Sequence, residues 1–344
     1  MLALQHEKHN SRLPPVKQSN IERRINVIRQ NLHTHCTWDD GKNTIEEMIA
    51  AAKRAGMDSL GISVHTQTPY SSVCCPDHKL ADYLQEMQTL KEKYAKDGFC
   101  LYAGIEWDVL SDMPDILEKR ADGLTNPGFW SFDYVIGSVH AIPVKRSSNP
   151  YSPVISKLFE KLGDRGYDYP TVDEDIKKVK YMVRDLFGGD GDAAAEHYFA
   201  QYQTIAENPF VNIVGHFDLI KKFCHMYRFY SDQEYHAIHP ASRRYQDAAR
   251  AALDLLLKSD KIIELNTSIM EEELPNDTMY PSLNHLEYIH EKGGRVTIGS
   301  DAHQAMHINH NFPIACTILK KVGFQEIWVL DTTENGIEFV PQRL

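Results

Sequence analysis

Residues 27–47 read VIRQNLHTHCTWDDGKNTIEE, and their order decides the fold. An apolar, β-prone run, Val27–Leu32, ends in His33-Thr34-His35. Side chains repeat every two residues along a strand, so both imidazoles point to one side. Asp39-Asp40-Gly41 then form a turn and helix lead-in. Thr44 followed by Glu47 has the spacing of a capping box and predicts a helix over Thr44–Ala55. A short buried strand that ends in polar residues and feeds a helix is the repeating unit of a parallel α/β sheet.

The same alternation continues outward. β-rich runs stand at Ser59–Val64, Phe99–Ile105, Tyr134–Val139, Val211–Gly215, Lys261–Leu265, Arg295–Gly299 and Glu326–Leu330. Amphipathic stretches stand at Leu80–Lys96, Ala193–Glu207, Ser242–Lys258, Ser282–Lys292 and Ile314–Val322. Seven or eight such units predict a closed barrel rather than an open sheet. There is no internal repeat. Lys145–Gly191, rich in Lys, Asp, Tyr and Gly, breaks the rhythm and reads as an excursion from the barrel. Residues 1–25 lack periodicity and contain Pro14 and Pro15, so they read as an arm, with residues 26–344 as one barrel domain.

Composition sets the class. The chain has 344 residues, 42% hydrophobic and 25% charged, which is ordinary for a globular protein. With 37 Lys and Arg against 48 Asp and Glu, the net charge is −11. So acidic a protein is a poor partner for nucleic-acid backbones. No apolar run approaches the ~20 residues of a membrane span, and the polar N-terminus is unlike a signal peptide. A cytoplasmic location is expected. The six cysteines form no Cys-x-x-Cys pair and read as free thiols.

The strand ends carry the chemistry. After His33 and His35, with Asp40 in the next turn, the later strands end in His65, Glu106, His140, His216 and Asp301-Ala302-His303. The C-terminal strand ends of a barrel converge on one face, where active sites sit. A lone strand-terminal histidine is more often a hydrogen-bonded structural residue. Six imidazoles and three carboxylates at matching ends exceed the needs of one metal ion and predict a cluster of two or three. Such a cluster binds phosphate oxygens, supplies hydroxide from bound water near neutral pH and stabilises an in-line displacement.

This pattern resembles the PHP superfamily of polymerase- and histidinol-phosphatase-type domains. The matching segments are HTHCTWDDGKNTIEE, LGISVHTQTP, AGIEWDV, GSVH, NPFVNIVGHFDLI and TIGSDAH, over about residues 29–330. DYVIGSVH, VGHFDLIKKF and IELNTS are most similar to the histidinol-phosphatase branch. The resemblance implies a distorted, TIM-like (β/α)7 barrel. It implies one metal on His33, His35, Glu106 and Asp301, a second on Glu106, His140 and His216, and a third on Asp40, His65 and His303. The ions would be divalent Zn, Mn or Fe. The activity implied is hydrolysis of histidinol phosphate, a step of histidine biosynthesis, by metal-bound hydroxide. Asp218, two residues beyond His216, is a candidate proton carrier, with a structural hydrogen bond as the plain alternative.

One departure bears on the substrate. The branch follows Asn-Thr-Ser with a small residue and an arginine that helps hold phosphate. Here Asn266-Thr267-Ser268 runs into Ile269-Met270 and the acids Glu271–Glu273. An arginine suits bidentate phosphate contact, and a glutamate repels it. Lys145, Arg146 and Arg228 are the replacement candidates, and Glu271 is a candidate for a cationic end of the substrate. The alternatives are a different small phosphate ester or nucleotide on the same centre, or a metal-binding barrel without catalysis. The expected partner is a small phosphorylated molecule, with no nucleic acid and no membrane. Self-association into a homo-oligomer stays open.

Overall fold

The computed structural model describes residues 28–68, 70–111, 131–145, 166–224, 238–270 and 278–344. Seven parallel strands form one sheet: β1 (Gln30–Asn31), β2 (Ser59–His65), β3 (Cys100–Asp108), β4 (Tyr134–Ser138), β7 (Ile213–Val214), β8 (Ile262–Asn266) and β9 (Arg295–Gly299), neighbours in that order. A parallel bridge between Thr34 and Ala302 brings the two edges together. His35 N donates to Ala302 O at 3.0 Å, completing a nearly closed barrel.

Period two explains the interior. Tyr102, Tyr134, Ile136, Ile213 and Ile262 form one apolar cluster inside the strands. Two and four residues further along the same faces stand Glu106, Ser138 and Glu264. The barrel is therefore apolar at the N-terminal end and polar at the C-terminal end. Gly104 is required here: a Cβ at this position would lie 2.2 Å from the Tyr134 ring.

Helices cover the outside. The first, α1 (Ile45–Arg54), starts at the capping box read from the sequence: Glu47 N donates to Thr44 Oγ1 at 3.3 Å and Thr44 N to Glu47 Oε2 at 2.9 Å. Next comes α2 (Leu80–Ala95). The helix expected over Ala193–Glu207 is two, α4 (Gly191–Ala200) and α5 (Tyr202–Glu207), meeting at Gln201. α6 (Arg243–Lys258), α7 (Leu283–Glu291) and α8 (Phe312–Val322) follow. Their apolar faces pack on the outer faces of the strands in a second, larger core. No helix among the described residues is long and apolar enough to cross a membrane.

The run Glu326–Leu330 is not an eighth barrel strand. It opens β10 (Glu326–Thr333), which pairs antiparallel with β11 (Gly336–Arg343). Glu334-Asn335 form the two-residue loop that turns the chain back, and Gly336 follows at φ 112°, a backbone that glycine takes without strain. Leu330, Trp328 and Phe339 join the apolar interior cluster, and Arg295 lies 4.6 Å from the Trp328 ring. Gln30 donates to Leu330 O at 2.8 Å and accepts from Leu330 N at 2.8 Å. The hairpin thus caps the N-terminal mouth, and the opposite mouth is left for the site.

Within the described part of the excursion, β5 (Val144–Lys145) pairs antiparallel with β6 (Tyr167–Asp168). Val172 N then donates to His140 O at 2.8 Å, and α3 (Ile176–Tyr181) follows.

Candidate metal centre

Glu106, on the inner face of β3, stands in the middle of the centre. Its Oε2 lies 3.1 Å from His33 Nε2, 3.4 Å from His35 Nε2 and 3.2 Å from His65 Nδ1. Its Oε1 lies 3.1 Å from His216 Nε2 and 3.5 Å from His140 Nε2. Asp301 Oδ1 is 3.1 Å from His35 Nε2 and 3.6 Å from His33 Nε2. His303 Nε2 is 3.2 Å from Asp40 Oδ1. All nine residues singled out at the strand ends and the first turn therefore meet in one place.

Four overlapping groups have ligand-type atoms within 4.8 Å of one another: His35, Asp40, His65 and His303; His33, His35 and Asp301; His33, Glu106 and His216; His65, Asp108 and His140. The grouping differs in detail from the resemblance-based one. His35 also reaches the Asp40 group, and His140 also reaches Asp108. His140 Nε2 still lies 3.1 Å from His216 Nε2.

Three further carboxylates fix the rings. His33 Nδ1 donates to Glu264 Oε1 at 2.7 Å, and His35 Nδ1 to Asp39 Oδ2 at 2.6 Å. His140 Nδ1 donates to Asp108. His303 Nδ1 donates to the Asp301 carbonyl at 2.9 Å. In each neutral ring this leaves the Nε2 lone pair facing the centre, the arrangement that orients imidazoles for a metal. Asp39 and Glu264 also bind backbone. Asp39 accepts from Cys36 N at 3.0 Å and His65 N at 3.0 Å, and Glu264 from His216 N at 3.0 Å. Gly299 makes room for Glu264, since a Cβ there would fall 1.8 Å from its Oε1.

Sequence reading missed these three, although two left a signal. Asp108 is two residues past Glu106 on the same strand face. Glu264 is a lone acid inside the apolar run KIIELN. Asp39 was hidden in a turn whose second acid took the attention.

Electrostatics mark the centre as a place for cations. Burial pushes the His33 ring toward neutrality, but Glu264, Glu106 and Asp301 outweigh it and hold its pKa well above the ordinary value. Burial is likewise overcome at His65, raised to about 10 by Glu106 and Asp108, and at His140, raised to about 9 by Asp108 and Glu106. Burial would push Glu106 and Asp301 up, yet the surrounding imidazoles hold both well below the usual carboxylate range. His33 Nε2, His35 Nε2, Asp40 Oδ1 and Glu106 Oε2 are buried and make no hydrogen bond. Each such atom costs about 1–3 kcal/mol if left unsatisfied. Divalent ions among them would satisfy all four, so the donor set fits a metal cluster. Asp301 adopts a left-handed backbone, φ 50°, as residues at functional sites often do.

A cleft of about 480 Å³ opens over the centre, lined in part by His65, His140, His216, Asp301 and His303. Of the residues proposed for substrate, Lys145 is exposed on β5 and is not part of the cleft wall. Arg146, Arg228 and Glu271 lie outside the described residues. Among the described residues, Lys222 is the only lysine or arginine lining the cleft. Asp218 is absent from the cleft wall. It is fully buried, accepts from Ser282 N at 3.0 Å and His285 Nδ1 at 3.1 Å, and pairs with Lys221 at 3.4 Å. Lys221 also donates to Met279 O at 2.6 Å. Asp218 therefore ties the loop after β7 to the segment before α7. These contacts, all to Oδ2, are those of the structural hydrogen bond given above as the plain alternative to a proton carrier, and Oδ1 is buried without a hydrogen bond.

Comparison with known proteins fits this geometry. Residues 30–268 match the family model of the PHP domain. A "Probable histidinol-phosphatase" of Deinococcus radiodurans is 26% identical over 283 residues, spanning 81% of this chain and 88% of that protein. A protein of the same description from Schizosaccharomyces pombe is 22% identical over 322 residues, 88% of this chain and 90% of that protein. Among solved structures, histidinol phosphate phosphatase from Lactococcus lactis, complexed with zinc, L-histidinol and phosphate, superposes with a TM-score of 0.61 at 18% identity. It covers 90% of this chain and 98% of that one. That likeness is one of fold.

Proposed function

The chain belongs to the PHP domain family, and from that premise we propose that it is a metal-dependent phosphatase that hydrolyses L-histidinol phosphate to L-histidinol and phosphate. One observation carries the reading: Glu106 lies within 3.5 Å of five imidazole nitrogens, three of them from His65, His140 and His216, which line the cleft. The relatives described as histidinol-phosphatases, similar along most of their length, favour the substrate.

Two or three divalent ions would be held here. His33, His35, Glu106 and Asp301 would hold one, Glu106 with His140 and His216 a second, and Asp40, His65 and His303 a third. When bound, such ions neutralise phosphate charge and activate water for in-line attack. The protein's own part is positioning. Asp39, Glu264 and Asp108 fix the rings through Nδ1, so the donor atoms are set before substrate arrives. Lys222, on the cleft wall, supplies the cation that the segment after Asn266-Thr267-Ser268 lacks. Its ammonium takes a phosphate oxygen as a point charge, without an arginine's bidentate geometry.

A second reading keeps the centre and changes the ester, and it is favoured by the acids where the branch has arginine. The experiment is phosphate release by manganese- or zinc-loaded protein from L-histidinol phosphate, beside a panel of sugar phosphates and nucleotides. Selective turnover of L-histidinol phosphate is expected. Turnover elsewhere in the panel with none of L-histidinol phosphate would replace the first reading by the second.

A further inference from the structure

The cleft wall that carries Lys222 also carries an acid. Asp173 Oδ2 lies 4.0 Å from Lys222 Nζ, at the outer edge of ion-pair range, and both residues line the cleft. Asp173 comes from the excursion. The backbone just before it is fastened to the metal centre: Val172 N donates to His140 O at 2.8 Å, and Ala141 bridges Thr171. The neighbouring acid, Glu174, also lines the cleft, but it is more exposed, pairs with Lys178 and accepts from Thr171 Oγ1 at 3.1 Å. Asp173 has only the long contact to Lys222 as an ion pair among the described residues. Its side chain is one-quarter exposed. Its negative charge is felt at His140 and at the Tyr70 and Tyr280 hydroxyls, all on the same cleft.

Lys222 and Asp173 thus stand as one positive and one negative group side by side on the wall, above a centre whose buried His33 Nε2, His35 Nε2 and Glu106 Oε2 make no hydrogen bond. A molecule that answers both charges carries a phosphate and a nearby cation. In the phosphate ester of a 2-amino alcohol, two carbons and one oxygen separate ammonium from phosphorus. That reach suits two opposite charges set close together.

We infer that Asp173 is the specificity-determining carboxylate of the cleft, pairing with the cationic group of the ester while Lys222 turns to its phosphate. The inference rests on the phosphatase reading. It makes the substrate class amino-alcohol phosphates and excludes neutral sugar phosphates as preferred substrates. The long Asp173–Lys222 contact is exchanged on binding for two shorter ones, one at each end of the substrate.

The test is Asp173→Asn in the metal-loaded full chain, with L-histidinol phosphate and phosphoethanolamine as cationic esters and glycerol phosphate as the neutral one. KM for the cationic esters should rise by roughly 10–100-fold, with kcat changed by less than about threefold. The kcat/KM for glycerol phosphate should stay level or improve. Asp173→Glu should restore part of the loss. L-Histidinol binding, read by calorimetry, should weaken in parallel with KM. Equal loss on all three esters, or no loss on any, would overturn the inference. If L-histidinol phosphate is not a substrate, a wild-type preference for phosphoethanolamine that disappears in Asp173→Asn would sustain Asp173 while the substrate reading falls. If no ester is turned over, the calorimetric titration decides, and binding that ignores Asp173 overturns the inference.

Discussion

At the scale of single residues, the centre is built from imidazoles held by carboxylates. Glu106 touches the most rings and is buried, so Glu106→Ala, like His33→Ala or Asp301→Ala, is expected to remove metal and activity together. Metal analysis of the purified variants checks this, and full metal content in an inactive variant would contradict it. Glu264→Gln removes the charge that holds His33 and one of the two oxygens that accept from His33, His216 N and Asn266, and should weaken metal affinity by roughly 10–100-fold without touching the metal itself. Competition titration with a chelating dye measures that. Protons compete with metal for the same nitrogens. His65 and His140 are raised to about 10 and about 9, so metal should be retained above neutrality and released progressively as pH falls. In the chelated protein the sign of the stability term reverses. The charged rings stabilise fully below the unfolded histidine value of about 6.5, and this contribution fades as pH rises toward 10. Thermal melts of chelated protein from pH 6 to pH 10 should therefore fall with pH. Eight residues of this centre were legible because strand ends and period two place them, and Asp40 because it stands in the turn that follows the first strand. Glu264 was less so, because one acid within an apolar strand looks like a flaw until its partner His33 is known.

At the scale of elements, the legible parts were those with a local code. The capping box of α1 and the apolar strands followed from short-range chemistry. Thr44→Ala should cost about 1 kcal/mol by denaturant unfolding, with activity retained. The hairpin β10–β11 was only half legible. Glu326–Leu330 has the pattern of a barrel strand, and its antiparallel fate depends on the turn at Glu334-Asn335 with Gly336 behind it and on the apolar mouth that Trp328 and Leu330 fill. Leu330 is 3% exposed. Leu330→Ala should cost about 2–5 kcal/mol and leave metal content unchanged in the protein that stays folded. An effect on metal binding larger than that on stability would contradict the hairpin's role as a cap at the far mouth. The break at Gln201 between α4 and α5 has no comparable sequence mark: the residues on both sides are apolar at helical spacing.

At the scale of the whole molecule, the barrel separates two tasks. Its N-terminal mouth is apolar and capped, and its C-terminal mouth gathers charge that only cations can balance. Metal bound to the native state alone stabilises it by linkage. Chelation should lower the melting temperature by about 5–15 °C, and readdition of metal should restore it. An unchanged melt with metal demonstrably stripped would count against a cluster inside the barrel. The excursion was visible in the sequence as a break in rhythm, but which of its acids reach the cleft was not, because that depends on the bridge between Ala141 and Thr171. We read residues 26–344 as one barrel domain, and the excursion as the part that adapts a common centre to its own ester.

The most direct measurement is phosphate release from L-histidinol phosphate by one preparation, assayed as metal-loaded, after chelation and after metal is returned. The account predicts turnover, its loss with the metal and its recovery on readdition. Turnover that survives verified removal of metal, or none in the loaded protein, would contradict it.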